Sequence, residues 1–294
     1  MSIDRIRLDA ATFSRGQRNL ERMSEESKGQ NSCRLCSSSA TLCRSHILPE
    51  MAYANVIDYT SHPRMVAVRD VKSGKISETN RQSGFWERLL CKKCEMKFSR
   101  YETYAAKHLL NAKLTPPTGS AHAVTLLKVS DYTRLKLFLL SMLWRIGVAT
   151  GDFFRGVDLG KHANQLQQML LTENPGEPDE YGCLITRFIP ERDVPIEQIL
   201  IPPRTSRTHD GHNGCLLAFR GFAFQYYISR HRIPAGVKAA FLNKSGELGI
   251  FWMRMGEIPP LRDSWNRCVA AIRRGRNLNR INRRSRGPFG GRCR

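Results

Sequence analysis

Cys33-Arg34-Leu35-Cys36 and Cys91-Lys92-Lys93-Cys94, with Ser45-His46-Ile47-Leu48-Pro49 between them, are the stretches that decide how this chain reads. Two thiolates separated by two residues can grip one side of a tetrahedral zinc ion, and a second such pair closes the shell and leaves no water on the metal. The expectation is structural Zn2+ held by Cys33, Cys36, Cys91 and Cys94. The pairs are flanked by basic Arg34, Lys92 and Lys93. The 54 residues between Cys36 and Cys91 exceed compact zinc-ribbon spacings, so two unrelated pairs of reduced thiols stay open as the alternative.

With the segments between and after the pairs, Ser45-His46-Ile47-Leu48-Pro49 and Leu89-Leu90-Cys91-Lys92-Lys93-Cys94-Glu95, the chain resembles the HNH, or ββα-metal, nuclease family in its four-cysteine form. In that family a CxxC is followed by an Asp-His-Ile-x-Pro strand and then by Leu-Cys-x-x-Cys-His opening a helix. The resemblance covers residues 30 to 105. It implies a treble-clef zinc unit, a histidine base that activates water against a phosphodiester, and one Mg2+ or Mn2+ ion beside it. Carried over, His46 matches the base, Ser45 the first metal ligand and Glu95 the second. Serine replaces the aspartate and glutamate the histidine. The family's central asparagine has no matching residue, and Glu87 or Asn80 are its nearest substitutes.

Glu95, Ser99 and Glu102 fall at i, i+4 and i+7 of one helix face, which suits either a metal-facing pair of carboxylates or a solvated surface. His46 reads as a general base or as a half-buried histidine at a strand end. Cys43 is out of register with both pairs and reads as a small apolar residue or spare thiol. His209 and His212 lie in the turn-rich Thr208-His209-Asp210-Gly211-His212-Asn213 and read as loop residues.

The remaining composition sets limits. The chain has 294 residues, 41% of them hydrophobic, enough for a sizeable core. Forty-seven Lys and Arg against 26 Asp and Glu give a net charge of +21, which implies a polyanionic partner, with nucleic acid first and DNA favoured by the resemblance. Nine irregularly spaced cysteines argue against a disulfide framework and for a reducing cytoplasm. The N-terminal residues lack the apolar segment of a signal peptide. The longest apolar run, Leu137 to Trp144, is eight residues, against roughly 20 for a membrane span.

Residues 1–30 read as a flexible lead-in and 31–112 as the zinc unit, with an inserted hairpin over 65–77 and a helix from near Leu90 to Leu110, before Pro116-Pro117. A second region, 120–260, is of unassigned role and is the candidate surface for a protein partner. Asp131 caps a helix over Tyr132–Ala149 that is apolar around most of its circumference, and a second helix covers Gly160–Leu171. Strands are expected over Cys183–Ile189, Ile196–Ile201, Cys215–Phe219, Phe222–Ile228, Val237–Leu242 and Leu248–Met253, the last two joined by a turn at 243–246. Phe219, Phe222, Phe224, Tyr226 and Tyr227 read as core, with a base-stacking platform as the other possibility. The tail, 261–294, carries ten arginines from Arg267 onward and no acidic residue in that stretch, a composition suited to phosphate contact.

The sequence thus predicts an α+β fold: a treble-clef or ββα-metal zinc unit followed by a mixed helical and antiparallel-strand region. The expected function is DNA binding with candidate metal-dependent nuclease activity. The alternative is a non-catalytic treble clef that binds nucleic acid or a protein partner, and the third is an RNA-binding protein.

Overall fold

In chain order the elements are β1 (Leu42–His46), β2 (Trp86–Cys91), α1 (Lys92–Ala105, prolonged by a π-helical turn over Ala106–Leu110), β3 (Val124–Lys128), α2 (Tyr132–Val148), α3 (His162–Leu171), β4 (Cys183–Phe188), β5 (Ile201–Arg207), β6 (Asn213–Phe219), β7 (Phe222–Tyr227), α4 (Ala235–Lys238) and β8 (Glu247–Met253). This computed structural model describes residues 32–53, 84–116 and 123–270, apart from 192, 193, 195, 209, 230, 231, 264, 267 and 268. The hairpin expected over 65–77, Asn80, His209 and nearly all of the arginine tail lie outside the described residues.

The mixed α+β character is as expected. β1 and β2 form a two-stranded antiparallel ribbon, and α1 begins at the residue after β2 ends. The other six strands form one sheet in the order β3-β8-β4-β7-β6-β5. Its pairs are antiparallel except β4–β8, which run parallel, a departure from the all-antiparallel expectation.

α2 holds the layers together. Asp131 caps it by accepting the Arg134 N–H at 2.9 Å, as the sequence predicts. The Asp131 N–H in turn donates to the Tyr104 hydroxyl at 2.7 Å, which ties the start of α2 to the end of α1. Every residue of α2 from Leu135 to Ile146 is buried. α1 packs on one side of it and α3 on another, while the buried Tyr226 hydroxyl of β7 donates to the Leu139 carbonyl at 3.0 Å. One hydrophobic core therefore runs from Cys33 and Leu35 through α1 and α2 to Phe224 and Ile250 of the sheet. A second cluster, with Leu216, Ala218, Met255, Leu261 and Trp265, covers part of the opposite sheet face.

Three strand expectations change. Val237–Leu242 is not a strand: Ala235–Lys238 form a single helical turn after Pro234, whose fixed φ suits a helix entrance. Ile196–Ile201 is a 3-10 turn over Ile196–Gln198, with β5 starting only at Ile201. β5 then runs through Pro202 and Pro203; it is an edge strand with an irregular register there, where prolines without N–H groups are tolerated. β3 carries no strong sequence signal and is fixed by its partner β8. The turn at 243–246 forms as expected. Gly246 has φ +83°, and a Cβ there would collide with the Val129 carbonyl.

Candidate metal centre and its surroundings

The Sγ atoms of Cys33, Cys36, Cys91 and Cys94 all lie within 4.8 Å of one another, close enough to hold a metal ion. The first pair sits on a tight knuckle. The Ser37 N–H donates to the Cys33 carbonyl at 2.8 Å, the Cys33 N–H to Ser38 at 2.9 Å, and Ser37 takes φ +59°. The second pair spans the junction of β2 and α1, with Cys91 at the helix entrance. One contact joins the halves, and another ties the knuckle to α3. The Arg34 N–H donates to the Leu89 carbonyl at 3.0 Å, and Gln167 of α3 donates to the Arg34 and Leu35 carbonyls at 3.0 and 2.7 Å.

A tetrahedral ion with metal–sulfur bonds of about 2.3 Å sets its sulfurs about 3.8 Å apart. The Cys36 and Cys91 sulfurs are 3.8 Å apart. An all-thiol set suits zinc better than a hard cation. Burial pushes the Cys94 thiol well up, with further contributions from its cysteine neighbours, and also raises Cys33. Burial acts in the same sense on Cys36, but hydrogen bonds from Ser38, Cys33 and Cys94 outweigh it and bring that thiol to about 6. Cys43 stays outside the cluster. An open cavity of about 690 Å³ lies over the cluster, lined by Cys36, Cys91, Cys94, Lys92, Lys93 and Lys97 among others. The Lys97 ammonium is engaged, donating to the Leu171 carbonyl at 3.1 Å and pairing with Glu173 at 3.1 Å.

Ser45 is fully buried; its hydroxyl donates to Glu95 at 2.6 Å and accepts the Leu90 N–H at 3.2 Å. Two residues fifty apart in sequence, aligned by the resemblance as ligands, therefore meet in space. The second Glu95 oxygen has no hydrogen-bond partner among the described residues. His46 follows Ser45 on the strand, so its side chain leaves from the opposite face. Its imidazole lies 6.3 Å from the Tyr53 ring, and no hydrogen bond or ion pair joins it to Glu95 or Glu102 among the described residues.

Glu102 pairs with Arg145 of α2 at 2.7 Å, a contact that is ionic rather than an aligned hydrogen bond. The same buried guanidinium donates to the His46 carbonyl at 2.7 Å. Glu87 accepts from the Thr150 and Gly151 N–H groups, both at 2.9 Å, and from the Thr150 hydroxyl at 3.1 Å, closing the turn after α2. Arg145 and Gln167 are the structurally central residues that sequence reasoning missed. Arg145 carries a signal in retrospect: it is a charge adjoining an apolar run on a helix buried all round. Gln167 carries none.

The other sequence candidates resolve plainly. Phe219, Phe222, Phe224, Tyr226 and Tyr227 are all buried, so they are core and not a stacking platform. His212 sits in a turn, donating its N–H to the Thr208 hydroxyl at 3.0 Å. Among the described residues the four cysteines are the one group of three or more His, Cys, Asp or Glu side chains close enough together to hold a metal. No described helix is long and apolar enough to cross a membrane. No protein-family model, curated protein or solved structure matches the chain.

Proposed function

We propose that this chain is a zinc-stapled nucleic-acid-binding protein built on an HNH-like treble clef, with DNA as the favoured partner and the cytoplasm as its compartment. The observation that carries it is the convergence of four sulfurs from two CxxC pairs onto one metal-sized site. Zinc there would fix the knuckle, the ribbon and the start of α1 as one rigid unit. The net charge of +21 and the ten-arginine tail supply the attraction to a polyanion. The seven cysteines described are all free, in keeping with a reducing compartment. The test is elemental analysis together with DNA binding by the freshly purified chain. One zinc per chain and salt-sensitive binding are expected; less than half an equivalent of zinc overturns the staple.

A second reading, hydrolysis of a phosphodiester, is favoured by the contact between Ser45 and Glu95. Mg2+ needs only one or two carboxylates beside water and phosphate oxygens, and Glu95 offers one oxygen that Ser45 does not take. Such an ion would neutralise charge on the scissile phosphate and the leaving oxygen. His46 would take the proton of the attacking water on a ring nitrogen that the described residues leave unengaged. Glu102, neutralised by Arg145, would act by holding the His46 backbone in place through that guanidinium. Nicking of plasmid DNA with manganese, abolished by His46→Ala at unchanged zinc content, is the expected result. Equal nicking by wild type and His46→Ala removes His46 from the chemistry. No nicking with any divalent ion leaves the binding platform as the function.

A further inference from the structure

Across the β1–β2 ribbon, Arg44 stands opposite Arg88 and His46 opposite Trp86. Residues directly opposite, and residues two apart on one strand, share a face. These four side chains therefore form a square on one side of the ribbon. Ser45 and Glu87, opposite each other on the intervening register position, belong to the other side and are bound to Glu95 and to the 150–151 turn.

The square has an unusual composition for a solvent face. Arg44, Trp86 and Arg88 are exposed and His46 is half-buried. Trp86, 37% exposed, is the one aromatic among the large apolar side chains that the described residues leave exposed. Two like charges directly across an antiparallel pair destabilise it. The Arg44 guanidinium stacks 3.9 Å from the centre of the Trp86 ring, which orders it while leaving its N–H edge uncommitted among the described residues. Arg88 spends one nitrogen on the Leu42 carbonyl at 3.2 Å. The square itself contains no carboxylate to offset the pair.

We infer that this outward face of the ribbon docks a DNA strand, with a backbone phosphate held at Arg44 and Arg88 and the strand lying along the Trp86 indole. The inference rests on the nucleic-acid reading above and names the surface that reading uses. Positive charge beside an exposed aromatic suits a nucleic-acid strand, whose phosphates take the arginines. A flat, open face gives little hold to a single small anion, whereas a strand adds further phosphates on either side. His46 shares this face, on the side of the ribbon away from the Ser45–Glu95 contact.

The full-length, zinc-loaded chain carries its own reporter, because Trp144, Trp252 and Trp265 are buried and Trp86 is not. Acrylamide quenching of tryptophan emission is measured with and without a fluorescein-labelled duplex whose binding is followed by anisotropy across a salt series. In free protein the readily quenched fraction disappears in Trp86→Phe, and saturating DNA protects it in wild type. Arg44→Gln, which breaks no hydrogen bond of the described residues, flattens the log-log salt dependence by about 0.9, the loss of one phosphate contact, at unchanged zinc content. DNA binding with Trp86 still fully quenchable and the Arg44→Gln slope unchanged overturns the docking face and leaves the nucleic-acid reading standing. Absence of DNA binding at any salt overturns both.

Discussion

Arg145 carries more of the site's architecture than any residue the motifs single out. It is a buried cation from α2 that joins Glu102 of α1 to the backbone of His46 at the end of β1. Breaking a buried pair by removing one partner leaves the other uncompensated. Arg145→Met should cost about 3 kcal/mol, the low end of the usual range because Glu102 keeps some access to water. Urea denaturation of the zinc-loaded protein measures it, and a cost within error of zero would show that the pair adds nothing. Ser45 presents a different case. Ser45→Ala leaves the buried Leu90 N–H without its acceptor and should cost about 1–3 kcal/mol. Ser45→Asp sets a second carboxylate beside Glu95, where like charges repel unless a cation lies between them. That variant should melt below wild type in chelator and recover in millimolar manganese. No response to manganese would argue that the Ser45–Glu95 corner cannot take a hard cation.

At the scale of elements, the knuckle, the ribbon and α1 are too short to stand alone. A two-stranded ribbon is marginal in water, and Cys91, at the N-cap of α1, makes no side-chain capping hydrogen bond. The metal is expected to supply what they lack, on the order of 10 kcal/mol of apparent folding energy in small zinc domains. Cys91→Ser, or prolonged chelation, should therefore unlock the amides of β1, β2 and the first turns of α1, read by hydrogen exchange. Retention of full protection there would mean that the packing of α1 on α2 suffices. The sequence made α1 legible through the i, i+4, i+7 spacing of Glu95, Ser99 and Glu102 and its stop before Pro116-Pro117, and α2 through apolar residues around most of its circumference after the cap at Asp131. It misplaced β5 and read α4 as a strand, because edge position and local proline geometry outweigh β-propensity over such short runs.

At the scale of the whole molecule, one core joins the cysteine unit to α2 and the sheet. Leu140→Ala, in the middle of α2 and fully buried, should cost about 2–5 kcal/mol. Thermal melts followed by far-ultraviolet dichroism and by Trp emission should shift together. Separate shifts would show that the cysteine unit unfolds independently of the rest. Charge also acts at this scale. Deleting 267–294 removes ten arginines. If half of them contact duplex phosphates, the log-log salt slope should fall by about 4 to 5, equally for unrelated sequences. An unchanged slope would place the DNA contacts elsewhere, with the ribbon face the first candidate.

The sequence by itself determined the four thiols, because CxxC spacing is a local property that survives any arrangement of the 54 residues between the pairs. It also determined the buried character of α2, through apolar residues on every side, and the excess of positive charge. Only the tertiary structure decided what surrounds the thiols. Gln167 reaches the knuckle from more than a hundred residues away, and Arg145 joins the backbone of His46 to Glu102 from a different helix. Which side of the ribbon each residue takes was likewise beyond the linear chain. Alternation says that Ser45 and His46 diverge, but only the register with β2 puts Arg44 against Arg88 and His46 against Trp86. That register buries Ser45 against Glu95 of α1 together with Leu89 and Leu90 of β2, and packing across long sequence separations is written in no single segment.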